Sequence, residues 1–168
     1  MKLSRSAFII VLIVVNIALD QISKVLVRIY VAYNEIIPLI DDYLIMTKVE
    51  NKGAFLGMGS DLNPILRLIL LLILPTVVLL FVLHYVFVNK NIDKMSLVGF
   101  ACIIGGGLAN LYDRIVYGEV TDFLHIDLGG VFRTGIFNIA DMSVMLGMGL
   151  LLFGNYKHGK LEAEKASE

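Results

Sequence analysis

Apolar residues occur in four long runs along the chain, at about 7–27, 65–88, 96–116 and 136–154. A helix needs roughly 20 apolar residues to cross the hydrocarbon of a bilayer, so each run is long enough, or nearly so, to span a membrane. Pro75 lies within the second run and is a candidate kink. The first run resembles a signal peptide but is not followed by a small-residue cleavage site, so we expect it to persist as the first span.

Two long polar segments connect these runs: 28–64 joins the first run to the second, and 117–135 joins the third to the fourth. Because the helices alternate in direction, both segments lie at one end of the bundle, and the termini lie at the other. The first segment contains an apolar stretch at 43–49 and several glycines, which predicts short strands. The predicted fold class is therefore an all-α integral membrane protein, a single domain over 1–168. It has a four-helix bundle and a small strand-containing extracytoplasmic cap, with 155–168 as a polar cytoplasmic tail.

Composition supports a membrane protein. Hydrophobic residues make up 58% of the chain and charged residues only 17%, too few to cover a soluble domain of 168 residues. The net charge of −1 gives no indication of nucleic-acid binding, and the single Cys102 cannot form an intramolecular disulfide. Lysine and arginine divide evenly between the two ends. The denser basic clusters, at the N-terminus and at Lys90 and Lys94, favour cytoplasmic termini.

Polar residues collect at one edge of the predicted bundle. The apolar stretch 7–19 is about 20 Å long as a helix, whereas the hydrocarbon is about 30 Å thick, so the first helix must continue past Asp20 and Lys24. The same argument brings further side chains to this edge: Asn110, Asp113 and Arg114 at the end of the third helix, Asp122 in the following loop, and Asn138 and Asp141 at the start of the fourth.

Two interpretations of this acidic edge remain open. Ion pairs such as Asp20 with Lys24, together with neutralisation of one acid by Arg114, would lock the helices together. The acids outnumber the two local bases, however, so some carboxyl groups should be left without a cation. Ionisable groups at membrane depth usually mark functional sites, and two close carboxyls that share a proton are a known hydrolytic device. His125 has no metal-ligand partners and is expected to be a loop histidine.

Four sequence blocks resemble the lipoprotein signal peptidases (signal peptidase II). The segment 20–24 reads D-Q-I-S-K, similar to the family's D-Q-x-[ST]-K, and 51–54 reads N-K-G-A, similar to N-x-G-A. The segment 106–114 reads G-G-L-A-N-L-Y-D-R and continues as G-E-V-T-D-F at 118–123, similar to G-G-x-x-x-N-x-x-D-R and G-x-V-x-D-F. The segment 137–141 reads F-N-I-A-D, similar to F-N-x-A-D. The blocks occur in family order from residue 20 to residue 141, a range that spans most of the chain.

The resemblance implies an aspartyl endopeptidase of the bacterial cytoplasmic membrane. It would cleave the signal peptide from prolipoproteins just before the diacylglyceryl-modified cysteine, at the outer leaflet edge. Asp122 and Asp141 match the catalytic pair. Supporting or substrate-binding positions match Asp20, Lys24, Asn51, Gly53, Asn110, Asp113, Arg114, Asn138 and Ala140. No metal or organic cofactor is implied, the partners would be prolipoproteins and membrane lipid, and a monomer is expected.

One position departs from the family pattern. Phe55 follows Ala54 directly, where many members have a further small residue, so the register after Ala54 is open. Two other functions remain as alternatives. A small ion-coupled carrier would spread its acids across the bilayer depth, and a non-catalytic membrane scaffold would tolerate Asp122→Asn.

Overall fold

The computed structural model describes residues 3–54 and 57–166, with side chains described as far as residue 156. Four helices dominate it: α1 at Arg5–Tyr30, α2 at Pro64–Val88, α3 at Lys94–Val116 and α4 at Ile139–Ala166. All four are long and apolar enough to cross a membrane, α4 over Ile139–Tyr156. The predicted four-helix membrane fold is therefore confirmed. Phe55, and with it the register after Ala54, lies outside the described residues.

Local signals explain where the helices begin. The side chains of Ser4, Asn63 and Asp93 accept hydrogen bonds from backbone N–H groups in the first turns of α1, α2 and α3. The fourth helix begins at Ile139, three residues later than the apolar pattern suggests, because Phe137 is paired with a strand. Its backbone remains helical to Ala166, through the segment expected to be a polar tail.

A π-helical segment, Ile69–Ile73, interrupts α2 and ends immediately before Leu74 and Pro75. Proline has no N–H and its ring crowds the carbonyl one turn earlier, so the preceding turn widens instead of keeping regular α-helical bonds. The candidate kink at Pro75 is thus realised as a π-helical turn.

Helix α3 lies at the centre of the bundle and packs against the other three helices. Glycines allow its close approach to α4: a Cβ on Gly99 would lie 2.9 Å from the carbonyl oxygen of Gly147, and one on Gly106 would collide with the carbonyl oxygen of Ala140. This contact brings the polar end of α3 beside the first turn of α4, where Asn138 and Asp141 lie.

The cap is a three-stranded antiparallel sheet in the order β1 (Ile37–Ile40), β2 (Leu44–Asn51), β3 (Val120–Ile126). The strands expected in 28–64 are β1 and β2. Strand β3 was not predicted: Asp122 and His125 were assigned to a loop, and that assignment is wrong. The connection 117–135 forms a strand because its backbone pairs with β2 on one side and, at Leu124, with Phe137 on the other.

Candidate active site

Asp141 is fixed by the way α4 begins. The Asn138 side chain caps the helix and accepts a hydrogen bond from the Asp141 N–H at 2.9 Å. In return, the Asn138 N–H donates to Asp141 Oδ2 at 3.2 Å. This reciprocal pair is a capping box with aspartate at the third helical position. The carboxylate therefore lies at the positive end of the α4 dipole, which stabilises negative charge.

Asp122 is presented by the middle of β3, opposite Val49 of β2. One extra residue in β2, between Met46 and Val49, shifts the pairing register. The shift puts Asn51, rather than its neighbour Glu50, on the face of the sheet that carries Asp122. Asn51 Nδ2 accordingly donates to Asp122 Oδ2 at 2.8 Å.

Two asparagine side chains connect the two acids. Asn138 Nδ2 donates to Asp122 Oδ1 at 2.7 Å, and Asn110 Nδ2 donates to Asp141 Oδ1 at 2.9 Å. The amides are themselves joined, because Asn138 Nδ2 also lies 3.1 Å from Asn110 Oδ1. Asp122 and Asp141, 19 residues apart in sequence, thus share one continuous hydrogen-bond network.

A buried ion cluster lies behind these amides. Lys24 is fully buried and lies 2.7 Å from Asp20 Oδ2 and 2.8 Å from Asp113 Oδ2. Its ammonium also donates to Asn110 Oδ1 at 2.8 Å, which fixes the orientation of that amide. Asp20 Oδ1 accepts the N–H of Ala140 at 2.8 Å, so the cluster also holds the first turn of α4.

Arg28 belongs to this cluster and was missed from the sequence. Its Nη2 lies 3.1 Å from Asp113 Oδ1, its Nε donates to Thr121 Oγ1 at 2.8 Å, and its guanidinium stacks on the Tyr117 ring. Arg28 thereby ties the residue next to Asp122 to α1 and α3. Its place one turn after Lys24 on the same helix was the signal that could have found it.

Arg114, which one of the two interpretations assigns to neutralising an acid, has electrostatic interactions with Asp141, Asp122 and Asp113, but its hydrogen bonds go to backbone carbonyls. Its Nη2 donates to the carbonyl oxygen of Gly53 at 2.9 Å, and its Nη1 donates to that of Asn110. Gly53 allows the tight turn that offers this carbonyl, because a Cβ there would lie 2.6 Å from the carbonyl oxygens of Gly57 and Met58. The Gly53 N–H donates to Asn51 Oδ1, so the turn also orients the amide that contacts Asp122.

Burial raises the pKa of Asp122 to about 6. Asp122 is only 3% exposed. The nearby Asp141 raises the pKa of Asp122 further, whereas the hydrogen bonds from Asn51 and Asn138 lower it. Asp122 therefore keeps its proton at a pH about two units higher than an exposed aspartate does. Burial also raises the pKa of Glu50, on the opposite face of β2, where both its oxygens accept from Thr121.

Two cavities flank the acids and share Gly135 and Ile136 as a common wall. One, of about 390 Å³, is lined by Asp122 together with Asn51, Lys52 and Ser60. The other, of about 250 Å³, is apolar and includes Asp141; its other lining residues include Ile126, Phe137, Met142 and Met145. A bound chain could therefore pass both carboxyls, with polar groups on one side and apolar groups on the other.

The structure brings all the candidate site residues into one region: Asp20, Lys24, Asn51, Gly53, Asn110, Asp113, Arg114, Asp122, Asn138, Ala140 and Asp141. Within the described residues, no group of three or more His, Cys, Asp or Glu side chains is arranged to hold a metal ion. The chemistry available is that of paired carboxyls: burial raises the pKa of one, Asp122, and both accept hydrogen bonds from amide donors.

Four membrane helices that carry such a carboxyl pair at one end define a membrane-embedded peptidase of the aspartic type. Residues 12–156 match the family model described as "Signal peptidase (SPase) II". The chain belongs to this family, and the resemblance of its sequence blocks is confirmed.

Curated relatives and solved structures agree with this assignment. The chain is 38% identical to a lipoprotein signal peptidase of Chlorobium phaeobacteroides, over 81% of this chain and 82% of the relative. It is 36% identical to one of Aquifex aeolicus, over 89% and 87%. Two solved structures described as a bacterial membrane enzyme superpose with TM-scores of 0.78 and 0.76 at 25% identity, each over 88% or more of both chains. These matches do not favour a scaffold or an ion-coupled carrier.

Proposed function

We propose that this protein cleaves the signal peptide from bacterial prolipoproteins just before the diacylglyceryl-modified cysteine, with Asp122 and Asp141 as the catalytic pair. The observation that carries the proposal is the amide network that joins these two carboxyls, in which Asn138 contacts both. The pKa of Asp122, raised to about 6 by burial, supports the proposal, because carboxyls with perturbed pKa values beside a cavity are typical of functional sites.

The reaction follows from the different surroundings of the two acids. Asp141, at the helix N-terminus, acts as the carboxylate that accepts a proton from the attacking water. Asp122 holds a proton and donates it to the oxygen of the scissile carbonyl, which gives a neutral gem-diol. Asp141 then passes its proton to the leaving nitrogen, and Asp122 recovers one as the carbonyl reforms and the C–N bond breaks. The products are the carboxylic acid of the signal peptide and the free amine of the modified cysteine.

The other polar residues hold this pair in place. Asn110 and Asn138 orient the carboxyls, and Lys24 fixes Asn110. Asp20, Asp113 and Ala140 support this arrangement through the buried ion cluster and the first turn of α4. Asn51, Gly53 and Arg114 form a linked turn against Asp122, which we propose contacts the substrate backbone.

The two cavities suit the two parts of the substrate. The apolar cavity beside Asp141 would take hydrophobic groups of the lipidated peptide, which reaches the site laterally through the bilayer. The polar cavity beside Asp122 would admit water from the membrane surface. This geometry requires no cofactor, because both proton transfers are made by side chains.

We also propose that the protein lies in the bacterial cytoplasmic membrane as a monomer, with both termini in the cytoplasm and the site at the outer leaflet edge. Single cysteines at Asp42 and Lys90 test the orientation, because these exposed residues lie at opposite ends of the bundle and the native Cys102 is buried. An impermeant maleimide should label position 42 in intact cells and position 90 only after permeabilisation. The reverse pattern would overturn the orientation.

The cleavage proposal is tested with one precursor peptide prepared in two forms, with and without the diacylglyceryl group on its cysteine. The purified protein in detergent should release the signal peptide from the lipidated form, and mass spectrometry should find the cysteine at the N-terminus of the product. Cleavage at another bond, or equal cleavage of the unmodified peptide, would contradict the proposed specificity.

A further inference from the structure

A cavity of about 200 Å³ lies between the first half of α2 and the end of α3, and its lining includes neither Asp122 nor Asp141. Three of its lining side chains are basic: Lys52, Arg67 and Arg114. The remainder is mainly apolar, and comes from Pro64, Leu68, Leu71 and Leu72 of α2. The cavity therefore combines a cationic wall with an aliphatic one.

The positive charge of this cavity is only partly compensated. Within the described residues, Arg67 and Arg114 form no salt bridge. Arg114 has only longer-range electrostatic interactions with the acids of the active site. Arg67 donates to the carbonyl oxygen of Ser60, and its Nε is buried without a hydrogen-bond partner among the described residues. Lys52 is 62% exposed and lies 3.9 Å from Glu119, a loose ion pair that leaves it free to bind an anion.

The position of the cavity matches the headgroup layer of a bilayer. It lies where α2 begins and α3 ends, at the same end of the bundle as the cap. Leu68 is exposed, and Leu71 and Leu72 belong to the π-helical turn, which widens the helix beside the cavity. Basic pockets between membrane helices are suited to anionic lipid headgroups.

We propose that this cavity binds the phosphate group of an anionic membrane phospholipid, with its acyl chains along Leu68, Leu71 and Leu72. Arginine and lysine would donate charge-assisted hydrogen bonds to the phosphate oxygens. The lipid would then link α2 to the turn at Lys52, which neighbours the active site. Lys52 also lines the cavity beside Asp122, and Arg114 also holds the turn at Gly53, so the lipid site adjoins the proposed active site. The test therefore measures lipid binding itself, whose failure is distinguishable from a failure of peptide cleavage.

The test is lipid binding by the full chain, delipidated in detergent and measured by native mass spectrometry and thermal melting. Phosphatidylglycerol should bind and raise the melting temperature, whereas phosphatidylcholine should bind at least tenfold more weakly. Lys52→Gln and Arg67→Gln should each weaken phosphatidylglycerol binding about tenfold, which is about 1.4 kcal/mol. The matched control is Arg133→Gln, because Arg133 is a 65% exposed cation in the cap that pairs with Asp127 and is not part of the cavity lining.

Three results of the lipid-binding measurements would overturn the proposal. They are equal affinity for the two lipids, unchanged lipid binding by both cavity variants, and equal weakening of lipid binding by the Arg133 control. Inorganic phosphate distinguishes a lipid site from a free-anion site: the proposal fails if phosphate alone binds and stabilises the protein as well as phosphatidylglycerol does. If Arg67→Gln does not fold, because the guanidinium holds the Ser60 carbonyl, Lys52→Gln decides the question, since that side chain is largely exposed.

Discussion

The contact between Asn138 and Asp122 can be tested by replacing Asn138 with serine and with alanine. The asparagine has two separable roles: its Oδ1 caps α4, and its Nδ2 donates to Asp122 Oδ1 at 2.7 Å. Serine is a good N-cap but is too short to donate to Asp122 as well. Alanine loses both contacts.

The two substitutions should therefore differ in stability but agree in their pH dependence. Loss of the cap should cost alanine about 0.5–2 kcal/mol relative to serine, seen as a lower melting temperature. Loss of a hydrogen bond to a charged group costs roughly 1.5–3 kcal/mol. Because that bond stabilises ionised Asp122, its removal should raise the Asp122 pKa by about one to two units, at 1.36 kcal/mol per unit.

The assay is kcat/KM for cleavage of the lipidated precursor as a function of pH. In the proposed mechanism the carboxyl pair must hold one proton, so kcat/KM should fall as pH rises through the Asp122 pKa of about 6. In both variants this alkaline limb should move to higher pH, while the maximum rate drops. If the limb of Asn138→Ser coincides with that of the wild type, the amide does not control Asp122 in the working enzyme and the reasoning is refuted.

Three further substitutions test the support of the site. Lys24→Met should lower the free energy of unfolding by about 3–5 kcal/mol in a thermal melt, because it leaves buried Asp20 without a cation and Asp113 with Arg28 alone, whereas the exposed Lys90→Met should melt like the wild type. Asn51→Ala should lower kcat/KM at least tenfold, since it removes a donor to Asp122; normal binding and cleavage would exclude the proposed contact of this turn with the substrate. Gly53→Ala should reduce kcat/KM through displacement of the same turn by its Cβ, while Gly149→Ala, where a Cβ meets open space, should leave cleavage rates unchanged.

The helices were predictable from the sequence because a membrane imposes a length. About 20 apolar residues must follow one another, and a run such as 65–88 satisfies that requirement without reference to the rest of the chain. The collection of acids at one edge followed from the same length argument, applied to Asp20 and Lys24. The length requirement does not determine the residue at which a helix begins. Helix α4 therefore begins later than its apolar run.

The strand β3 and the bulge in β2 could not be predicted because they depend on partners distant in sequence. Asp122 is presented by a strand only because Phe137 and β2 lie on either side of it. The extra residue between Met46 and Val49 decides whether Asn51 or Glu50 faces Asp122, and no local pattern reports it. The contact of Arg114 with the carbonyl oxygen of Gly53 could not be predicted for the same reason, since a backbone carbonyl has no signal in side-chain chemistry.

The most direct test of the central claim is cleavage of the lipidated precursor by the wild type, Asp122→Asn and Asp141→Asn. The matched control is Asp42→Asn, an exposed acid in the turn between β1 and β2. At position 122 an amide would put its own NH₂ group against the donors of Asn51 or Asn138, so folding is checked by thermal melting. The account predicts folded but inactive Asp122 and Asp141 variants beside an active wild type and control; near-normal turnover by either variant would contradict the assigned catalytic pair.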